Sequence, residues 1–436
     1  MKNKKAFTII ELLGVITILA IILIIAIPKV LSTIEESKKK SFLQSAHGII
    51  RKVNEQKVLK DLTNKIFTIT DGEFVGEELD LDGELPIEGT INIDEDGNVG
   101  LSMHNNKYCV LKARNSNEIT ISDYNGICMF TTPESCFTYT IYYSARIYIS
   151  GYDNSCSKQV VIPNTIEGLP VYYIGVGAFY NKQLTSVVIP EGVVSILPSA
   201  FAINQLTSVT IPSSITSIGT NAFNINHLPD DQAFIYARNS DGSKNKTILV
   251  SYGGARKENV IIPNTVKTIF ENAFHSTQIT SVAIPDSVTN IGVAAFSNNQ
   301  LTSIIIPNSV TSIGKQAFGY NQLESVVLPL YITSINNSVF SGNQLTNITI
   351  PQGVYEIQDY AFENNQLTSV TLPSSVTSIG DSAFSNNQLT SVTIPSNVSM
   401  SMETISSTFY DSYVTQNSSQ AGTYTAPSQT GIWTKQ

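Results

Sequence analysis

Residues 366–387 read QLTSVTLPSSVTSIGDSAFSNN, and variants of this string fill much of the chain. Pro263, Pro285, Pro307, Pro329, Pro351, Pro373 and Pro395 follow one another at intervals of 22 residues, as do the phenylalanines from Phe274 to Phe384. A fixed period of this length marks a solenoid, in which each copy is too small to bury its own apolar face and does so against its neighbours. In the quoted copy Leu367, Val370 and Leu372 are expected to alternate inward on a short strand that Pro373 ends. Val376 and Ile379 then line a second side, and Ala383 with Phe384 fill the centre. Asn387 recurs as Asn204, Asn299, Asn321, Asn343 and Asn365. An Asn at a fixed turn predicts a ladder whose amides bond the backbone of the coils.

Earlier copies stand at Pro163, Pro190 and Pro212, which extends the array over residues 163–400. The unit resembles the BspA-like leucine-rich repeats of bacterial surface proteins. That resemblance implies a β-rich leucine-rich-repeat solenoid, and an adhesive role toward host matrix proteins or other bacteria. The array is interrupted once, between Pro212 and Pro263, by a segment containing FIYARNSDGSKNKTILVSYGG. Two strand-like runs about an Asn-Ser-Asp-Gly turn predict a hairpin. Its tail, ILVSYGGARKENVIIPNTV, parallels IYISGYDNSCSKQVVIPNTI at the start of the array, so both are expected to be starter hairpins, over 136–162 and, inserted, 227–259. The end of the chain, AGTYTAPSQTGIWTKQ, predicts a terminal hairpin within a cap over 401–436, covering the last coil with Tyr424 and Trp433.

The other end reads MKNKKAFTIIELLGVITILAIILIIAIPKV, a basic leader and an apolar run broken only by Glu11. From Phe7 to Ile27 is about 21 residues, roughly 30 Å as a helix and enough to cross a bilayer. A carboxylate inside that span costs several kcal/mol unless it finds a partner. KKA followed by FTIIELL resembles the prepilin (class III) signal of type IV pilins and pseudopilins. The resemblance implies a leader over 1–6, cleavage between Ala6 and Phe7 by a prepilin peptidase/methyltransferase, and a methylated Phe7 terminus. Ala6 stands where the family nearly always has Gly. Glu11 is then the assembly residue, neutralised by the N-terminal amine of a neighbouring pilin subunit. Lys2, Lys4 and Lys5 keep the leader cytoplasmic and send the remainder outward.

The formal net charge of −9 argues against nucleic acid as a partner, and residues 278–395 hold Lys315 as their single basic residue against six acids. Beyond Pro28 the pattern is amphipathic. Val30, Leu31, Ile34, Phe42, Ala46, Ile49, Ile50 and Val53 share one side of a helix, so a transmembrane and assembly helix is expected over 7–60, its membrane part being 7–27. IFTIT, TINI, VGLSM, YCVLKA and ITIS predict short strands of a head over 61–135. The expected fold is therefore an α+β pilin-like head on a long N-terminal transmembrane helix, followed by the solenoid. Cys109, Cys128, Cys136 and Cys156 make an even set in an exported chain, with three connectivities open. Sequential pairing, Cys109 with Cys128 and Cys136 with Cys156, keeps each bridge inside one module.

No catalytic constellation, cofactor loop or zinc spacing is present. His47, His104, His227 and His275 are scattered, and the calcium-like turn at Asn92, Asp94, Asp96 and Gly97 has Met103 where a bidentate Glu is needed. No metal or cofactor is expected, and the chain is read as non-enzymatic. A partner surface is expected on outward strand positions, where Ala283, Ile305 and Val327 replace Thr in adjacent copies, and where Leu330, Tyr331 and Tyr355 break the Ser/Thr pattern. The leading expectation is a minor or tip pilin that starts in the cytoplasmic membrane and, once assembled, displays repeats outside the cell toward a host or bacterial surface protein. The alternatives are a structural pseudopilin of a secretion or competence system, and a membrane-anchored surface repeat protein that does not assemble.

Overall fold

A computed structural model describes residues 33–56, 65–70, 73–75, 86, 88–93, 99–105, 107–112, 119–123, 131–143 and 145–436. The expected membrane segment, with Ala6, Phe7 and Glu11, lies outside the described residues, as do Cys128 and the acids Asp94 and Asp96. Among the described residues no helix is long and apolar enough to cross a membrane. The chain divides into two compact units, Met1–Phe130 and Thr131–Gln436.

In the first unit residues 33–56 are helical. Phe42, Ala46, Ile49, Ile50 and Val53 recur at three- and four-residue spacing, so they form one stripe, and that stripe is buried. It packs on a six-stranded antiparallel sheet built from Lys65–Thr70, Glu73–Val75, Glu88–Ile93, Val99–His104, Tyr108–Lys112 and Thr120–Asp123. Phe67, Ile69, Ile91, Ile93, Leu101, Met103 and Val110 fill the sheet's side of this core. Helix and sheet are also joined by Tyr108, whose hydroxyl donates to Glu35 O at 3.0 Å, and by the Lys107–Glu35 ion pair at 2.9 Å. Cys109 is buried and disulfide-bonded.

The second unit is a β-solenoid of about 11 turns. A 22-residue copy typically places short strands before and after its proline, such as Ser369–Thr371 and Ser378–Ile379. Successive copies pair in parallel with a constant register, Ile269 with Ile291 and Ile291 with Ile313. The expected inward residues Leu367, Val370, Leu372, Val376, Ile379, Ala383 and Phe384 are all buried. Because the period is fixed, each Phe falls on the one before it. Phe274, Phe296, Phe318, Phe340, Phe362 and Phe384 stack with centroids 4.9 to 5.7 Å apart and nearly parallel planes. This is close to the 4.7–4.9 Å spacing of neighbouring strands, so the backbone sets the ring distance.

The Asn ladder forms, and its geometry explains its constancy. In one rung Asn343 Nδ2 donates to Phe318 O and to Phe340 O, both at 3.0 Å, while its Oδ1 accepts the Leu323 N–H at 3.0 Å. One buried amide thus pairs main-chain groups of two coils that the turn would otherwise strand. Asn226 adds a rung between the first run and the interruption. The turn also needs left-handed residues: Asn298, Asn364 and Asn386 take φ of 55–57°, and Gly342 takes 69° at the equivalent place.

Both runs of the array start on hairpins. Phe137–Tyr142 pairs antiparallel with Arg146–Tyr152, which then runs parallel to Leu169–Ile174. Phe234–Arg238 likewise pairs with Lys244–Tyr252, which runs parallel to Thr268–Ile269. In both, a Phe–Tyr pair begins the aromatic column, and the Tyr hydroxyl caps a downstream carbonyl: Tyr152 to Ser157 O at 2.7 Å, Tyr252 to Arg256 O at 2.8 Å. Burial pushes the Tyr252 hydroxyl up to about 12. A Cys136–Cys156 disulfide ties the base of the first hairpin, and an Asp230–Arg256 ion pair ties the second. Adjacent Leu249 and Val250 enter different cores, Leu249 that of the second run and Val250 that of the first. The inserted hairpin is therefore a shared wall, as strand alternation allows.

At the far end Gly422–Thr425 pairs antiparallel with Ser391–Ile394 and with Thr434–Lys435. Phe409, Tyr413, Tyr424 and Trp433 are all buried beneath it. Gln429 closes the ladder: its Nε2 donates to Phe384 O at 2.8 Å and Ile405 O at 3.0 Å, and its Oε1 accepts the Asn387 N–H at 2.9 Å. Replacing Asn343 by Ala leaves the buried Leu323 N–H unpaired and takes one of two amide donors from each of Phe318 O and Phe340 O, which keep Asn321 and Asn365, and is expected to lower stability by about 1–3 kcal/mol. Urea unfolding followed by circular dichroism checks this. Exposed Asn347→Ala is the control and should stay within about 0.5 kcal/mol of the parent.

Candidate partner-binding surface

The inward half of each copy is dictated by packing, so a partner site must be sought among side chains that packing does not require. Along the strand before the proline, the middle residue points in and its neighbours point out. Ile305 and Val327 are register partners on such outward positions, 71% and 57% exposed. The structure extends this stripe by one member that the sequence reading missed. Ile261 pairs with Ala283, which precedes Ile305 by one period, and Ile261 is 70% exposed. Its spacing of 22 from Ala283 was visible, but it sits in the segment read as hairpin tail. From Thr349 on, the column returns to threonine, and Thr393 is covered by the cap through Thr423, hydroxyl to hydroxyl at 2.9 Å.

Leu330, Tyr331 and Tyr355 are likewise exposed. Leu330 is held by its N–H on Asn308 Oδ1 at 2.9 Å, and Tyr355 by its N–H on Thr333 O at 2.9 Å. The two tyrosines sit on adjacent coils but not in one column. One period after Tyr331 comes Gly353, and one period before Tyr355 comes Thr333. The structure therefore gives two separate exposed rings beside an apolar stripe, not a stacked pair.

A second aromatic group, not foreseen, lies on the first starter hairpin. Parallel pairing sets Tyr148 beside Tyr173, and ring contacts link Tyr173 to Tyr142 at 5.8 Å and to Tyr172 at 4.8 Å. Tyr142 meets Tyr143 at 4.4 Å, and their hydrogen bond raises the Tyr142 hydroxyl above its usual range. The Arg146 guanidinium lies over the Tyr172 ring at 4.0 Å. The strings IYYSARIYIS and VYY carried the composition. What the sequence did not carry is the pairing that brings them together.

Titratable groups elsewhere are dispersed. Among the described residues no group of three His, Cys, Asp or Glu gathers as a metal site. Burial works against the Glu191 carboxylate, but the N–H groups and hydroxyls of Ser213 and Ser214, one coil on, outweigh it and hold Glu191 below the usual carboxylate range. That arrangement ties coil to coil.

Comparison with known proteins agrees with this reading of the repeats. The model of the BspA type leucine rich repeat region matches six copies, over residues 145–232, 251–366 and 333–422. That of the prokaryotic N-terminal methylation motif matches residues 1–27. No curated protein matches the chain. Among solved structures, a leucine-rich repeat protein from Bacteroides ovatus is 24% identical over 61% of this chain, with a TM-score of 0.30, and the match spans 58% of that protein's length. A leucine rich cell surface protein from Faecalibacterium prausnitzii is 25% identical over 59% of this chain and 93% of its own, with a TM-score of 0.30. A leucine-rich repeat protein from Eubacterium ventriosum is 20% identical over 64% of this chain and 93% of its own, with a TM-score of 0.34. With more than half of its residues inside the repeat model and the 22-residue coil built as that repeat requires, the chain belongs to the BspA type leucine-rich repeat family, here joined to an N-terminal methylation motif.

Proposed function

We propose that this is a non-enzymatic, surface-displayed pilin-like protein, a minor or tip subunit whose repeats bind a protein on a host or bacterial surface. The observation that carries the reading is the joining, in one chain, of a methylation motif containing Glu11 to a long repeat array with unassigned outward side chains. A carboxylate four residues beyond Phe7 suits a helix meant to pack beside the N-terminal amine of another subunit. The helix packed on an antiparallel sheet in the first unit is the architecture expected of a pilin head, which supports the same reading. An array this large on every subunit would crowd a filament, which favours a minor or tip position.

Mass spectrometry of the native protein should find a methylated Phe7 terminus, made by a prepilin peptidase/methyltransferase. An intact Met1 would count decisively against assembly by this route. Glu11→Ala should be processed but excluded from filaments, and immuno-electron microscopy should place the parent on filaments or their tips. Uniform membrane labelling of both forms would instead support an anchored repeat protein.

For the binding face, Tyr331→Ser with Tyr355→Ser, or Ile305→Thr with Val327→Thr, should reduce adhesion to the target surface by about tenfold or more. Thermal unfolding should be unchanged, because these side chains are exposed. Full adhesion by both double variants rejects this face.

A further inference from the structure

The two starter hairpins treat the strand edge that follows them differently. After the first, Gln159–Val161 opens the outer sheet. Ile162 N–H goes forward to Val188 O, so Val161, one residue earlier, turns its main chain the other way. Thr132 closes that side: its N–H donates to Val161 O at 2.8 Å, and its Oγ1 accepts the Val161 N–H at 3.0 Å. Val161 is 7% exposed.

After the second hairpin, Val260–Ile261 opens the outer sheet again, and Ile261 stands two residues before its repeat proline, as Val161 does. Val260 and Ile262 send their N–H groups forward to Ser281 O and Ala283 O, so Ile261 faces back toward the first run. Among the described residues none plays the part of Thr132. The chain there reads Leu228-Pro229: the Leu228 N–H is committed to Gly253 O at 2.9 Å, and Pro229 has neither an N–H nor a hydroxyl. Across the gap, the last outer strand of the first run, Ser208–Thr210, pairs only with Ser186–Val188. On its open side a side chain, Gln232 Oε1, accepts the Val209 N–H at 3.1 Å.

Beside this edge lies a cavity of about 670 Å³, lined by Val209 and Ile211 from one run and, two residues past Ile261, by Pro263 and then Thr265 from the other. The hairpin lines it with Tyr236, Arg238, Lys244 and Lys246. Arg238 donates once, from Nη1 to Gly242 O at 3.0 Å, and its Nε is buried without an acceptor. Lys244 and Lys246 are exposed, and neither forms an ion pair among the described residues. Of the two acids in the lining, Asp230 is held by Arg256, which leaves Asp231 against three cations. These cations stand out in a unit whose second run keeps only Lys315 across residues 278–395.

We propose that this cleft receives an extended acidic peptide of a partner protein, which adds as a strand to the open Ile261 edge and sets its carboxylates against Arg238, Lys244 and Lys246. An unpaired edge reads main chain, which a peptide has and a polysaccharide lacks. The cations read charge, and the Arg238 guanidinium has donors beyond its single bond to Gly242 O that a carboxylate can meet. The open edge is only two residues long, so binding is weak and sensitive to salt.

The test uses the full chain and a fluorescent peptide of alternating Glu and Val. Saturable binding is expected, about tenfold weaker when alternate peptide nitrogens are methylated, which is roughly the loss of one main-chain hydrogen bond. Lys244→Glu with Lys246→Glu, on exposed positions that leave folding intact, should weaken it at least as much, and a Lys-Val peptide should not compete. Equal affinity of the methylated peptide overturns strand addition. Competition by oligogalacturonate as strong as that by the parent peptide makes this a general anion site and overturns the peptide assignment. Undiminished binding by the double lysine variant, or no saturable binding at all, overturns the proposal outright.

Discussion

Where the Asn recurs, the turn after the Phe buries carbonyls and an N–H that no strand reaches, and that one side chain meets them. Asn343 touches the coil before it and its own, so its reach sets how far apart two coils can be. The constraint is local. Between Pro163 and Pro190 the copy is longer than 22 residues, and the extra chain forms a small hairpin of Thr165–Ile166 with Leu169–Ile174. The rung at Asn204 is untouched, with bonds to Phe179 O and Phe201 O at 2.8 and 2.9 Å. Length is tolerated where it does not move the amide, and the period is strict where it would.

A ladder of this kind must begin and end on something, and the chain uses different residues to do so. At the start of the second run Thr277 stands one period before Asn299, donates to Phe274 O at 2.9 Å, and meets Asn299 Oδ1 at 3.1 Å. Across the interruption Asn224 bonds forward to Asn272 O and His275 O, and its Oδ1 accepts from Ser251 and Tyr252. At the C-terminus Gln429 does with a longer side chain what Asn does inside the array. Each of these side chains pairs buried main-chain groups where the regular Asn pattern stops or is broken, because leaving a buried polar group unmet costs more than an additional bond contributes.

The sequence made the repeat legible because its signal is periodic: Pro, Phe and Asn recur at one spacing, and burial follows that spacing. The starter hairpins were legible because two distant stretches resemble each other, and turn chemistry told where each strand reverses. What it did not make legible depends on pairing between parts of the chain with no shared period. Gln429 reaches back to Phe384 from a segment that resembles no repeat. The Tyr148–Tyr173 group exists only because two strands of different origin lie in register. Ile261 belongs to the exposed stripe by its spacing, yet its main-chain edge is open because of what is missing beside it, and a missing cap leaves no mark in a motif.

That contrast separates what selection for folding explains from what it does not. Val161 and Ile261 occupy the same place after equivalent hairpins, and the fold is satisfied by closing the first edge. Pro229 stands where a residue with a free N–H would close the second, and among the described residues the three cations lining the adjoining cleft form no ion pair. The same holds for Ile305 and Val327, whose positions accept Thr in other copies without any change in the coil. Since β-branched residues suit the strand equally well with or without a hydroxyl, propensity does not choose between them. The departures from the repeat at the interruption and along the outward stripe therefore lie outside what coil stacking demands, which is why both proposed contact surfaces are placed there.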